Sequence, residues 1–174
     1  MTSFTIPTIE TEHLILRGPK ASDFNAFAEF YASDRSKGVG GPLTRDKAWR
    51  AFATDFGHWH LLGYGMWVID EKSSGKVVGH VGFWNPEGWL ERELAWTVFE
   101  GFEGKGYAHE AALGARNYAY QTLGWGPMIS VIDPDNTRSI VLAKRLGATH
   151  ERDWDTPSGH PTLIYRHPAP EAMS

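Results

Sequence analysis

"EGFEGKGYAHEAA", residues 100–112, places Gly101, Gly104 and Gly106 within six positions and then runs into small, helix-prone residues. The stretch before it, "ERELAWTVF" (91–99), alternates as a strand does, with Glu93, Ala95 and Thr97 on one side and Leu94, Trp96 and Val98 on the other. After it, Ala108, Ala111, Ala112, Ala115, Tyr118 and Ala119 recur at helical spacing, which predicts a helix from Tyr107 to Leu123 stopped by Gly124. A strand that ends in glycines and feeds a helix leaves backbone N–H groups unpaired and convergent, with the positive end of the helix dipole behind them. Such a place attracts phosphate. Gly104 and Gly106 can adopt positive φ and let an anion reach the main chain with no Cβ in the way. An ordinary strand-to-helix turn would use the same residues. Two nucleotide signatures are missing: no Ser or Thr follows Gly104-Lys105, and the run to His109 lacks the third glycine of a dinucleotide fingerprint.

Working outward, helical and strand periods alternate along the whole chain, which predicts a mixed α/β fold. "HLILR" (13–17) reads as a strand. Ser22 then stands as the N-cap of a helix whose Phe24, Phe27, Ala28 and Tyr31 share a face, and a second helix starts after Thr44 with Trp49, Phe52 and Phe56 on a stripe. "YGMWVID" and "KVVGHVGFW" flank the polar link "EKSSG" and read as an antiparallel hairpin. Beyond the central helix, "MISVI" (128–132) is a short buried-type strand. "DPDN" then turns into a helix from Thr137 to Leu146 that Gly147 closes, and "HERDW" with "PTLIYRH" forms a last hairpin around "DTPSG".

With 174 residues the chain suits one core, read as a single domain over 8–168 with a tail at 169–174. The 17 Lys and Arg against 21 Asp and Glu give a formal charge of −4 with no basic block, so nucleic acid is not an expected partner. No run of 18 apolar residues and no basic leader with an apolar core occurs, which leads to the expectation of a soluble cytoplasmic protein without a membrane partner. There is no cysteine, so neither a disulfide nor an acyl-cysteine intermediate can form on the chain. The histidines show no ligand-like clustering apart from His58-Trp59-His60, whose spacing without nearby acids is weak, and no metal is expected.

From "GFWNPEGW" through the glycine stretch to "DNTRSIVLAKRLGA", residues 82–148 resemble the core of the GNAT-superfamily N-acetyltransferases, in the branch of the ribosomal-protein N-terminal acetyltransferases. The family's loop Gln/Arg-x-x-Gly-x-Gly/Ala falls on Glu103-Gly104-Lys105-Gly106-Tyr107-Ala108, which the resemblance makes the grip on the pyrophosphate of acetyl-coenzyme A (acetyl-CoA), chiefly through backbone amides. Glu103 departs from the pattern, and its carboxylate is expected to turn into solvent, since it would repel a diphosphate. Asn136 and Ser139 match the branch's Asn-x-x-Ser. The resemblance sets Asn136 against the pantetheine arm and Ser139 near the sulfur, where its hydroxyl would protonate the departing thiolate; read as residues alone, they could be an N-cap and a first-turn serine.

The resemblance further implies a mixed, mostly antiparallel sheet with helices on both faces, and transfer of acetyl to a primary amine by direct attack in a ternary complex. Glu93 matches the family's strand glutamate and is the first candidate for the base, with Glu91 and His80 behind it and His109 read as surface. Main-chain N–H groups of the strand from Ala95 to Val98, including Trp96 and Val98, would polarise the carbonyl. An α-amine loses its proton near pH 7.7–8.0, roughly, against about 10.4 for lysine, so a peptide N-terminus needs less help than a side chain. The acceptor stays open between a peptide N-terminus and a small-molecule amine, and a homodimer is common in the family. The rings Trp59, Trp67, Trp84 and Trp89 are read as core or as an acceptor pocket. Two other classes remain: an acyl-CoA-binding module without turnover, to which Glu103 lends weight, and an interaction domain with a bare glycine turn.

Overall fold

The computed structural model describes residues 4–173; Met1–Ser3 of the N-terminal stretch and Ser174 of the tail lie outside it. Its strands are β1 (Ile9–Glu10), β2 (Leu14–Arg17), β3 (Met66–Glu71), β4 (Val77–Trp84), β5 (Glu93–Val98), β6 (Ile129–Ile132), β7 (Thr149–Asp155) and β8 (Pro161–Arg166). They form one sheet in the order β1-β2-β3-β4-β5-β6-β8-β7. Every neighbouring pair is antiparallel except β5 and β6, which run parallel and are in register at a single pair, Glu93 with Ile129. Four helices cover the sheet: α1 (Phe24–Ala32), α2 (Arg45–Leu62), α3 (Tyr107–Gln121) and α4 (Thr137–Arg145).

Side-chain alternation sorts the cores. Cross-strand partners share a face, so the pairs Trp84–Glu93, Gly82–Ala95 and His80–Thr97 lie together with Met66 and Val68 of β3. That face is covered by α1 and α2 through Phe24, Phe27, Ala48, Phe52 and Phe56. The opposite face, with Leu16, Trp67, Ile69, Val81, Phe83 and Leu94, is packed by Ala111, Ala112 and Ala115 of α3, by Leu142 of α4 and by Leu146, which caps that helix. Alanines on α3 let the helix approach the sheet closely. The expected helices on both faces and mostly antiparallel sheet are therefore what the chain builds.

Local readings hold with informative exceptions. The hairpin across "EKSSG" forms, with Gly75 at φ +68° and its N–H bonded to Glu71 O at 2.8 Å. Ser22 does not cap α1. A 3₁₀ turn, Ala21–Asp23, leads into the helix, and Asp23 accepts from Lys20 N–H at 2.7 Å because its carboxylate is also the bidentate partner of Arg17. Thr44 does precede α2, yet Trp49 is 49% exposed, since the buried stripe runs Ala48, Phe52, Phe56, Trp59 and Trp49 lies one position off it, edge-on to Phe24. α3 ends at Gln121, two residues before Leu123, and Gly124 takes φ +66°.

On the α1–α2 side of the sheet, β4 passes close to the chain leaving α2: Phe83 N–H bonds to Gly65 O at 3.0 Å. A Cβ at Gly82 would come within 2.3 Å of that oxygen and 2.8 Å of Met66 Cα, at φ +151°. Gly82→Ala is expected to lose about 1–3 kcal/mol of stability or more in urea unfolding; an unchanged midpoint would mean that β4 is not pressed against this segment.

Candidate functional site

β5 and β6 part immediately beyond Glu93 and Ile129, and side chains stitch the point of divergence. Glu93 Oε1 accepts from Val131 N–H at 3.1 Å, taking the place of a strand carbonyl, while Ser130 Oγ–H donates to Leu94 O at 2.6 Å. Ser130 is oriented from behind. Arg116 of α3 has only donors, so its contact at 3.1 Å makes His167 Nδ1 the acceptor; Nε2 then carries the proton and gives it to Ser130 Oγ at 2.9 Å. Burial, then the charges of Arg116 and Arg166, push His167 down to about 3, so the ring is neutral.

Further along the gap, Phe99 N–H bonds to Val78 O of the β4 side at 2.8 Å. By alternation the N–H and C=O groups of Trp96 and Val98 point away from β4 and into the opening between β5 and β6. The indole of Trp96 crosses to the other wall, where its Nε1–H donates to Ser139 Oγ at 3.2 Å. Asn136 is the N-cap of α4, its Oδ1 accepting from Ser139 N–H at 3.1 Å, so the capping role holds and leaves the Ser139 hydroxyl proton free to be donated.

At the far end of β5 lies the glycine loop. Gly101, Gly104 and Gly106 all have positive φ, from +75° to +90°, and Gly106 is the N-cap of α3. Among the described residues, no acceptor takes the main-chain N–H groups of Gly104, Gly106, Tyr107 or Ala108. A Cβ added at Gly104 or Gly106 would meet no atom within 4 Å, so the turn is chosen for its backbone angles and its open approach, not for packing. The side chains of Lys105 and Tyr107 turn away from these amides. Both bond to Glu71, Lys105 Nζ at 3.2 Å, and these donors with Ser74 hold the Glu71 carboxyl down at about 2, the tyrosine contact being the largest. Glu103 does not turn into solvent, as the sequence leads one to expect. Its carboxylate accepts from Gly101 N–H at 2.7 Å and pairs with Arg35, a partner on a segment remote in sequence that no local reading could supply.

On the α1–α2 face, Glu93 opens onto a cleft of about 610 Å³. Only 6% of Glu93 is exposed, and burial pushes its carboxyl up to about 8, against the pull of the Val131 and Trp89 N–H donors, the latter at 2.9 Å. Trp84 and Trp89 line this cleft, whereas Trp59 and Trp67 are core, so the four rings divide between the two readings. His80 lines it too, buried beside Asp55 at 3.2 Å; neither ring nitrogen of His80 nor Asp55 Oδ2 has a hydrogen-bond partner among the described residues. Asp55 and Tyr31, also lining, carry no sequence motif, being brought here by helix packing. Glu91 is bound by Arg166 at 2.5 and 3.1 Å on the surface, away from this set.

A strand pair splayed beside a glycine turn at a helix N-terminus defines an acyltransferase of the GNAT class. Residues 13–149 match the acetyltransferase (GNAT) domain, and the chain belongs to that family, whose members in general use acetyl-CoA. The crystal structure of an acetyltransferase from Agrobacterium tumefaciens str. C58 superposes with a TM-score of 0.87 at 38% identity, over 97% of this chain and 98% of that one. The Bacillus subtilis protein YkkB is 30% identical over 102 residues, 55% of this chain but only 59% of its own length. The ribosomal-protein-S5-alanine acetyltransferase from Vibrio fischeri, at 16% identity, TM-score 0.71 and coverage of 92% and 96%, shares the fold. Among the described residues, no helix is long and apolar enough to cross a membrane, and no three His, Asp or Glu side chains gather as metal ligands.

The two buried titratable groups at the splay bend the stability profile in opposite senses. As pH falls from about 6.5 toward 3, the unfolded chain takes up a proton that folded His167 refuses, so folding weakens by at most ~1.4 kcal/mol per pH unit. Glu93, held protonated up to about 8, strengthens folding as pH falls from there toward 4.5. In urea unfolding between pH 7 and 5, His167→Gln is expected to gain relative stability as pH falls and Glu93→Gln to lose it; curves parallel to the wild type would refute these burial effects.

Proposed function

We propose that the chain moves the acetyl group of acetyl-CoA to a primary amine by direct attack in a ternary complex. The observation that carries this reading is the placement along one strand: β5 begins at the buried Glu93 carboxyl, turns the main-chain groups of Trp96 and Val98 away from β4, and runs out into the uncommitted amides of the glycine loop at the start of α3. Those amides, backed by the helix dipole, suit the diphosphate. Trp96 and Val98 offer main-chain groups to the pantetheine arm and N–H donors to the thioester oxygen as it gains charge. Asn136, at the opposite wall, flanks the same arm.

Chemistry follows from proton placement. The incoming ammonium gives a proton to the Glu93 carboxylate, and the neutral nitrogen attacks the thioester carbon. The attack forms the C–N bond and a tetrahedral intermediate; as the C–S bond breaks, Ser139, held by the Trp96 indole, donates its hydroxyl proton to the leaving sulfur, the nitrogen gives up its second proton to become the amide and so restores the Ser139 hydroxyl by way of solvent, and Glu93 returns its proton to solvent. A base whose pKa is about 8 is matched to an α-amine, whose own pKa is about 7.7–8.0. This match favours a peptide N-terminus or a small amine of similar basicity over a lysine side chain. Trp84 and Trp89, with the acidic groups near them, provide a wall on which a cationic acceptor can rest. Glu103 no longer favours a module without turnover, because Arg35 neutralises it.

Two measurements test the assignment. In a free-thiol release assay with a panel of amines of differing pKa, the wild-type rate is expected to show a rise through about pH 8 that does not move with the pKa of the amine, while Glu93→Gln falls roughly 10²–10⁴-fold and keeps only the limb set by the amine itself; the same rates and profile in both proteins remove Glu93 from the proton transfer. Gly106→Val, which would have to hold φ +79°, a region that branched side chains avoid, is expected to weaken acetyl-CoA binding at least about tenfold by calorimetry, and an unaltered dissociation constant would place the diphosphate elsewhere.

A further inference from the structure

Glu103 stands where the family pattern has Gln or Arg, which leaves the diphosphate cup without its usual side-chain donor. Lys105, the nearest cation in sequence, is committed to Glu71 at 3.2 Å and lies over the Phe102 and Tyr107 rings. The guanidinium that does reach the loop comes from a distant segment, the 3₁₀ turn Asp34–Val39 between α1 and α2. Arg35 pairs there through Nη1 with Glu103 Oε1, and its Nη2–H donates to Val98 O at 2.9 Å. Val98 O is one of the main-chain groups aimed into the β5/β6 opening. The same turn reaches the opposite wall: a Cβ at Gly38 would lie 3.6 Å from Asn136 Nδ2 and 3.8 Å from Asp133 Cβ. The turn thus crosses the gap between the strands, with its arginine at the glycine-loop end.

We infer that Arg35 is the side-chain cation that meets the diphosphate of the acyl carrier, and that Glu103 is a positioning residue holding it there. This rests on the acetyl-CoA reading above and adds to it a residue outside the glycine motif. The geometry accounts for the acid at position 103: a carboxylate two residues beyond Gly101, whose N–H it accepts at 2.7 Å, is fixed in place and can anchor a fork of five donors. Arg35 directs only part of that fork to Glu103 and Val98, and its side chain is 31% exposed, so donors remain for phosphate oxygens. As a pair, Glu103 and Arg35 cancel the repulsion that a lone acid would impose. Arg138, in the first turn of α4, is the competing cation near Glu103.

The test compares coenzyme A with pantetheine, which lacks the diphosphate, by calorimetry for the first and NMR titration for the second. Arg35→Gln is expected to weaken coenzyme A by about tenfold or more and pantetheine by less than about twofold. Arg35→Lys, which keeps the charge without the fork, should fall between, and the swap Arg35→Gln with Glu103→Arg should recover most of the lost affinity by restoring a cation at the loop. Each variant's melting curve is recorded beside it. Arg35→Gln binding coenzyme A as tightly as the wild type or more so, equal losses for both probes, or a diphosphate-specific loss in Arg138→Gln instead would each overturn the assignment. A wild-type protein that binds neither probe would overturn the acetyl-CoA reading itself, an outcome distinct from all of these.

Discussion

The parting of β5 from β6 after one registered pair is the constraint on which the rest of the molecule depends. A fully zipped parallel pair would satisfy its main chain internally and leave nothing for a ligand. Here the strands separate while their neighbours β4 and β8 stay paired to them, so the sheet holds together and its middle is open. Opening a sheet exposes polar groups that must find partners, and the vertex shows how this is done: Glu93 lends a carboxylate to Val131, Ser130 lends a hydroxyl to Leu94, and His167 with Arg116 fixes the direction of that hydroxyl.

That solution has a chemical consequence. A carboxyl placed at the vertex is necessarily buried, and burial without a cation partner raises its pKa toward the range in which it can exchange protons near neutrality. Stitching the splay and, in the proposed reaction, providing a base are then served by one residue. The two oxygens are divided between Val131 on the neighbouring strand and Trp89 on the cleft wall, which ties the splay on one side of Glu93 to the cleft on the other.

Charge elsewhere is handled by remote pairing. Glu71 takes Lys105 and Tyr107 away from the loop, Glu103 takes Arg35, and Arg166 spans Glu91 and Glu151 on the surface. The first two leave the glycine loop with bare amides and an imported guanidinium. Loop and cation lie far apart in the sequence, at Gly101–Ala108 and Arg35, and are joined by the packing of α1 and α2 on the sheet face that carries Glu93.

By itself the sequence determined the elements whose cause is local. Alternation in 91–99, alanines at helical spacing after Gly106, glycines with positive φ, the Asn136 cap and the "EKSSG" hairpin are each written in a few neighbouring residues, because backbone sterics and period act over one or two turns. Side-chain partners at long range were not legible. Ser22 lost its cap to an Asp23 held by Arg17, Trp49 fell off its stripe, and Glu103 found Arg35 instead of water. Tyr31, Asp55 and His80 met in the cleft without any shared motif. Which main-chain groups stay unpaired, and how far burial moves a carboxyl, depend on what the other strands and helices cover, and only the assembled sheet with its two helical layers decided that.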